Sequence, residues 1–253
     1  MKALIAIVTG LILLVGCGAD GTKNGALLAT VGDPPPTLAA QSSPLRILVI
    51  GGTSGTGLEV VKVALARGHN VTAMSRRPER MTLTHEKLDA LKGDILDVAA
   101  VKAAVRNKDV VVNAIGIGPT RDPVTVFSKG IKHLLKVMTK LDVKRLVAIT
   151  GIGAGDSRGH GGFFYDRILQ PLALKTIYED KDRAEKLIAD STVDWTIVRP
   201  GALTDKPAET RYRVIEDLTG VTAGSIARAD VAHFIVAALE SGSYKGATVL
   251  LSN

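Results

Sequence analysis

Residues 45–57, LRILVIGGTSGTG, run an aliphatic stretch straight into four glycines within seven positions. An apolar run of this length, rich in Ile, Leu and Val, suits a strand buried on both faces. The stretch after it, 56–66, has helical character. A glycine loop between a strand and a helix lets the backbone approach an anion, and the free N–H groups of the helix start attract phosphate. The spacing decides which loop this is. G-x-G-x-x-G fails in every register, because Thr53, Ser54 and Val60 stand where glycine is required. A Walker loop fails because no Lys-Ser or Lys-Thr follows. G-x-x-x-G-x-G fits through Gly51, Gly55 and Gly57. The candidate phosphate contacts are therefore Gly51, Thr53, Ser54, Gly55, Thr56 and Gly57.

The rest of the chain alternates in the same way. Strand-like runs are expected at 45–50, 70–75, 88–91, 109–114, 144–150, 193–198 and 247–251. Helical patterns lie at 56–66, 98–105, 124–141, 176–189 and 229–240, with Asp97 suited to cap the second. Alternation of strand and helix predicts an α/β fold: a Rossmann-like, doubly wound parallel sheet in a single domain over 45–253. No internal repeat is visible.

The first 44 residues read differently. Residues 1–16, MKALIAIVTGLILLVG, have a Lys, an apolar run and a small residue before Cys17, the only cysteine. That is signal-peptide layout, and the run from Ala3 to Val15 is too short to span a bilayer, which takes about 20 apolar residues. Leu14-Val15-Gly16-Cys17 resembles a bacterial lipobox, which implies lipidation at Cys17; the other readings are an uncleaved apolar N-terminus or a first strand. Residues 17–44, with Asp33-Pro34-Pro35-Pro36, are expected to be the lipidated Cys and a flexible linker. The expected location is a membrane-anchored lipoprotein on the periplasmic or cell-surface side, touching membrane through the lipid only, or the cytoplasm if the signal does not function. No twin-arginine pair precedes the apolar run, so export of a folded, cofactor-loaded protein is not signalled.

Composition narrows the partners. The net charge of +7 is spread along the chain and only 4% of residues are aromatic, so stacking platforms for bases are scarce and no nucleic-acid partner is expected. A single cysteine excludes an intrachain disulfide. The five histidines show no metal-ligand spacing, so no metal is expected. Oligomeric state is not legible.

At the end of the second strand an acid would select NAD, whereas arginine suits the 2′-phosphate of NADP. Here the sequence is Ser75-Arg76-Arg77, with no acid before Glu79. The cofactor expectation is NADP, with NAD the alternative, and with Arg76 ahead of Arg77 as the contact; solvated surface arginines are the other reading. Asn113-Ala114-Ile115-Gly116 ends the fourth strand, where ligands of open α/β sheets bind, and Ala114, Ile115 and Gly116 are candidates for the cofactor's floor.

GGTSGTG, IARADVA at 226–232 and above all WTIVRPGALTD at 195–205 resemble the short-chain dehydrogenase/reductase superfamily, in its atypical NAD(P)H-binding, NmrA-like branch that includes flavin reductase/biliverdin-IXβ reductase. Atypical members often carry G-x-x-G-x-x-G, and Ser54 departs from it. The resemblance covers about 45–253. It implies a contact to the adenine end from Asp94 and Ile95, though Asp94 serves equally as a helix-start acid. It also implies that Pro200 and Gly201 lie beside the nicotinamide. The Tyr-x-x-x-Lys pair of true short-chain dehydrogenases is absent: Tyr178 has Lys181 at +3 and Asp182 at +4. Lys181, in a K-x-x-A-E setting, is the first catalytic and cofactor-binding candidate, followed by Tyr178, one turn away on the same helix face. Thr150 stands where the superfamily has Ser, or is an ordinary strand-end hydroxyl. The glycine-rich loop 151–162 leads to Phe163-Phe164-Tyr165, which reads either as a lid edge or as core. The function implied is an NADP-dependent reductase passing hydride to a small planar or carbonyl acceptor such as a flavin or quinone. The second reading is a non-catalytic NADP-binding redox sensor.

Overall fold

The computed structural model describes residues 33, 36–38, 43–163 and 165–253. The expected signal segment, Cys17 and most of the linker lie outside the described residues. All seven expected strands and five expected helices are present. In chain order they are β1 (Arg46–Ile50), α1 (Gly55–Ala66), β2 (Asn70–Ser75), β3 (Leu88–Lys92), α2 (Val98–Val105), β4 (Val110–Asn113), α3 (Val126–Lys140), β5 (Arg145–Ile149), α4 (Lys175–Ala189) and β6 (Asp194–Pro200). Two short strands, β7 (Ala202–Thr204) and β8 (Arg213–Ile215), follow, then β9 (Ser225–Ala227), α5 (Arg228–Ser241) and β10 (Ala247–Ser252).

The main sheet runs β3-β2-β1-β4-β5-β6-β10-β8, with all pairs parallel except β10–β8. This is the expected doubly wound sheet with one antiparallel edge strand added. The alternation along each strand shows why. Ile47 and Val49 of β1 pack with Val60, Val61 and Ala64 of α1 and Phe234 and Ile235 of α5. Leu48 and Ile50 point to the other face, among Val101 of α2, Ile131 and Leu134 of α3, and Ile188 of α4. Both faces are therefore covered, each fully buried aliphatic side chain contributing about 1.5–3 kcal/mol. β1 lies between β2 and β4, so the chain changes direction across the sheet there, and a crevice opens at the carboxyl ends of β1 and β4.

Caps set the helices. The Asp97 carboxylate accepts from Ala99 N at 2.8 Å and Ala100 N at 3.2 Å, capping α2. α3 has no cap from its own Thr125. Buried Asp180 of α4 accepts instead from Phe127 N at 2.9 Å and Ser128 N at 3.3 Å, and also from the Ser128 hydroxyl. One carboxylate thus caps a neighbouring helix and locks α4 against α3.

Tyr165–Leu174 forms a π-helix running into α4, in a stretch that the helical pattern at 176–189 did not reach. Pro171 lies inside it and has no N–H to give, so an α-helical ladder cannot pass through unbroken. β7 and β9 form a separate two-stranded parallel sheet. Asp33 makes an antiparallel bridge with Val214 of β8, its carbonyl accepting from Val214 N at 2.9 Å.

Candidate functional site

At the crevice, a cleft of about 850 Å³ runs across the carboxyl ends of β2, β1, β4, β5 and β6. Gly51 begins its floor. Its φ is +84°, and a Cβ there would lie 2.7 Å from the Ala114 carbonyl, so only glycine turns the chain this tightly against β4. Gly57 packs helix onto loop: a Cβ would stand 2.2 Å from the Gly51 carbonyl. At the start of α1, Ser54 is the N-cap, makes no side-chain cap bond, and no acid occupies the first turn. With no cap from the Ser54 side chain and no acid in the first turn, this helix start, whose Ser54, Gly55 and Thr56 line the cleft, fits a pyrophosphate.

Almost every residue singled out from the sequence lines this cleft. Thr53, Ser54, Gly55 and Thr56 line it at the loop, Arg76 and Arg77 at the end of β2, and Asp94 and Ile95 after β3. Ala114, Ile115 and Gly116 follow β4, Thr150 follows β5, and Pro200 and Gly201 end β6. Lys181 and Tyr178 enter from α4. Gly57 lies behind the wall, serving the packing just described. Ser75 Oγ accepts from Arg77 N at 3.2 Å and shapes the turn that carries the two arginines. Asp94 Oδ1 accepts from Leu96 N at 2.9 Å, so the carboxylate also builds the turn into α2.

The opposite end of the cleft holds the titratable groups. Lys181 Nζ donates to the Thr150 carbonyl at 2.5 Å and lies 4.8 Å from the centre of the Tyr178 ring and 5.4 Å from that of Phe127. Burial lowers the Lys181 pKa to about 8, opposed by the charge of Glu185. The Thr150 hydroxyl donates to Glu185 at 2.6 Å, so it faces α4. Glu185 in turn accepts from Arg199, which also reaches Asp156. This chain of partners runs from β5 through α4 to β6 and fixes the residues around Lys181.

Tyr178 is joined by a residue the sequence left open. The Tyr165 hydroxyl lies 2.8 Å from the Ile152 carbonyl and 2.7 Å from the Tyr178 hydroxyl. A hydroxyl has one hydrogen. When Tyr165 donates to Ile152, Tyr178 donates to Tyr165; when Tyr165 donates to Tyr178, the Tyr178 hydrogen is free for the cleft. Burial raises both phenol pKa values, so both are protonated near neutral pH.

Two further residues carry no assignment from sequence reasoning. Tyr165 lay in an ambiguous aromatic run. Arg228, in the quoted IARADVA, begins α5, and its Nε would lie 3.8 Å from a Cβ on Gly55. It donates to Asp205 at 2.7 Å. A cation beside the loop was legible as a residue, but nothing in the sequence brings position 228 to position 55. His160 donates through Nδ1 to the Val221 carbonyl at 2.8 Å and does not line the cleft. Among the described residues, no group of three His, Cys, Asp or Glu side chains could hold a metal ion, and no helix is long and apolar enough to cross a membrane.

The chain is similar to several known proteins. An uncharacterized oxidoreductase of Schizosaccharomyces pombe is 42% identical over 79 residues, covering 28% of this chain and 27% of that protein. A (4-alkanoyl-5-oxo-2,5-dihydrofuran-3-yl)methyl phosphate reductase of Streptomyces griseus is 27% identical over 217 residues, covering 81% and 67%. The structure of a short-chain dehydrogenase/reductase from Veillonella parvula in complex with NADP superposes with a TM-score of 0.69 at 15% identity, covering 83% of this chain and 94% of that one, a likeness of fold. Residues 51–242, more than half of the chain, match the NAD(P)H-binding family, and the chain belongs to that family.

Proposed function

We propose that the protein is an NADPH-dependent reductase of a small planar or carbonyl acceptor, of the flavin or quinone kind. The observation that carries this reading is the polarity of the cleft. One end presents Arg76 and Arg77, which among the described residues have no ion-pair partner, and the other presents Tyr178, Tyr165 and Lys181 among apolar Ile115, Val126 and Leu174. A 2′-phosphate suits the guanidiniums, the uncapped start of α1 suits the pyrophosphate, and the nicotinamide end then meets the tyrosines. When bound, the reduced nicotinamide supplies a hydride; an acceptor carbonyl takes that hydride and one proton, leaving oxidised cofactor and an alcohol or hydroquinone. Tyr178 holds the proton to be donated, and Tyr165 replaces it as hydrogen-bond donor to the phenol oxygen. Lys181 places a positive charge beside the Tyr178 ring and, as a lining residue of the cleft, would be the group to meet a ribose hydroxyl.

A second reading is a non-catalytic NADP-binding sensor. It is favoured by the Thr150 hydroxyl being taken up by Glu185, away from an acceptor. NADPH oxidation with flavins, quinones and small carbonyls separates the two: turnover with any acceptor supports the reductase, and tight NADPH binding without turnover across the panel supports the sensor.

We also propose that residues 1–16 are a lipoprotein signal and that Cys17 is lipidated. Palmitate labelling of wild type but not of Cys17→Ala, with protease accessibility on intact spheroplasts, is the expected result. Unlabelled, protected protein would place the domain in the cytoplasm with NADPH.

A further inference from the structure

The π-helix has two unlike faces. Tyr165, Gln170 and Leu174, five and four residues apart, turn inward: Tyr165 and Leu174 line the cleft, and buried Gln170 donates to the Gly153 carbonyl at 2.8 Å. Ile168 and Leu172 turn outward, with Leu169 beside them, and Phe163, two residues before the helix, is exposed as well. Phe163 is 79% exposed and Leu172 59%. Large apolar side chains grouped this way on a soluble surface mark a contact surface. The cleft also carries exposed apolar side chains, Ile117 and Leu203. Arg167 is interleaved with the patch and exposed, while Asp166, its acidic neighbour, accepts from Gly161 N at 3.3 Å.

The course of the chain says what covers this patch. Strand registers pair Pro200 with Leu251, Leu251 with Val214, and Val214 with Asp33. Pro200 lines the cleft, so Asp33 lies at the level of the cleft end of the sheet, three strand spacings or about 14 Å across. Tyr165, the first residue of the π-helix, packs against the cluster of Ile152, Ile215, Val221 and Leu250, in which Ile215 is the neighbour of Val214. The apolar run 3–15 and Cys17 therefore precede a residue held at the same end of the molecule as the patch. Sixteen residue-to-residue steps lead from Cys17 to Asp33, a reach of at most roughly 55 Å. On the lipoprotein-signal reading of residues 1–17, on which this contact rests, the N-terminus would hold the cleft end within reach of a bilayer.

We propose that the outward face of the π-helix, together with Phe163 just before it, is a membrane-contact surface, seated on the bilayer by Phe163, Ile168, Leu169 and Leu172, which sets the mouth of the cleft at the lipid. An apolar acceptor dissolved in the bilayer would enter there; only this last clause rests on the reductase reading, and the contact itself stands without it.

The test uses the full chain in phosphatidylethanolamine/phosphatidylglycerol vesicles, with and without brominated acyl chains. Tryptophan is introduced by Leu172→Trp at the patch, and by Lys62→Trp on the exposed side of α1 as the control. A side chain seated about 5–10 Å into the interface lies within reach of brominated lipid, so Leu172→Trp emission is expected to fall by about twofold while wild type, with Trp195 alone, and Lys62→Trp are unchanged. Adding Phe163→Ser and Ile168→Ser to Leu172→Trp is expected to abolish the quenching. Equal quenching at positions 62 and 172 would overturn the proposal. So would an unquenched Leu172→Trp, whether the face is covered by the chain's own apolar run or by a second copy. No turnover is read, so the result is independent of whether an acceptor is reduced.

Discussion

Arg199 of β6 grips Glu185 of α4 with two hydrogen bonds, Nε to Oε1 at 3.1 Å and Nη2 to Oε2 at 2.7 Å, and both side chains are 7% exposed. The Glu185 carboxylate also receives the Thr150 hydroxyl. The pair therefore ties three elements together directly behind the reactive end of the cleft. Removing one partner leaves a buried charge unpaired, a loss of about 3–5 kcal/mol. Arg199→Ala is expected to lower stability by that amount in urea unfolding. Arg199→Met combined with Glu185→Leu is expected to recover most of it, because neither charge is then left alone.

Gly57→Ala brings a Cβ within 2.2 Å of the Gly51 carbonyl. Helix α1 must then move off the loop. A stability loss of about 1–3 kcal/mol is expected from overpacking, with NADPH affinity falling further than stability. Calorimetric titration beside thermal unfolding checks both.

Arg76→Ala and Arg77→Ala test cofactor choice. A charge-assisted contact to a 2′-phosphate is expected to be worth about tenfold in Kd for NADPH, with NADH affinity unchanged. Equal losses for both cofactors would assign the arginines to general attraction, not to the 2′-phosphate.

Lys181 sets a pH dependence. Its pKa of about 8 in the fold is below its ordinary value, because burial disfavours the charge. Below about pH 8 both folded and unfolded chains carry the proton and the cost of burying it is fully present. Between about 8 and 10.5 the unfolded chain binds more protons, so this group makes stability rise with pH across that window. Cofactor contact through the ammonium runs the other way: NADPH Kd is expected to rise as pH passes about 8. Lys181→Arg should move that rise well above pH 10, as followed by fluorescence titration.

Tyr178→Phe removes the proton held for the acceptor. Its expected effect is a fall in kcat of about 10²-fold or more, with NADPH Kd near that of wild type. Tyr165→Phe keeps the Tyr178 proton but removes its supporting donor, and a smaller fall is expected. Unchanged kcat in both would leave the tyrosines a purely structural pair.

Much of the site was legible because the doubly wound sheet gathers the ends of consecutive strands at one edge. Once 45–50, 109–114 and 193–198 are recognised as parallel strands, Gly51, Ala114 and Pro200 must end near one another, and they do. Tyr178 and Lys181 came from the family resemblance, and helical spacing put them on one face. Arg228 did not, because α5 lies far along the chain from the glycine loop and its approach to Gly55 depends on how α1 and α5 pack. The π-helix did not either, since a 3.6-residue pattern cannot register a wider turn around Pro171. Thr150 does stand at the end of β5, but the direction of its hydroxyl, toward Glu185, is a matter of which buried acid needed a donor.

The sequence by itself determined the fold class, the loop spacing and the residues at each strand end, because these depend on short periodicities and on glycine's freedom at positive φ. Only the tertiary structure decided the partners of those residues: Asp180 capping another helix, Tyr165 beside Tyr178, and Arg199 on Glu185. Such pairings are set by which helices lie side by side and by the need to satisfy each buried polar group, and neither is written in the spacing along a single chain.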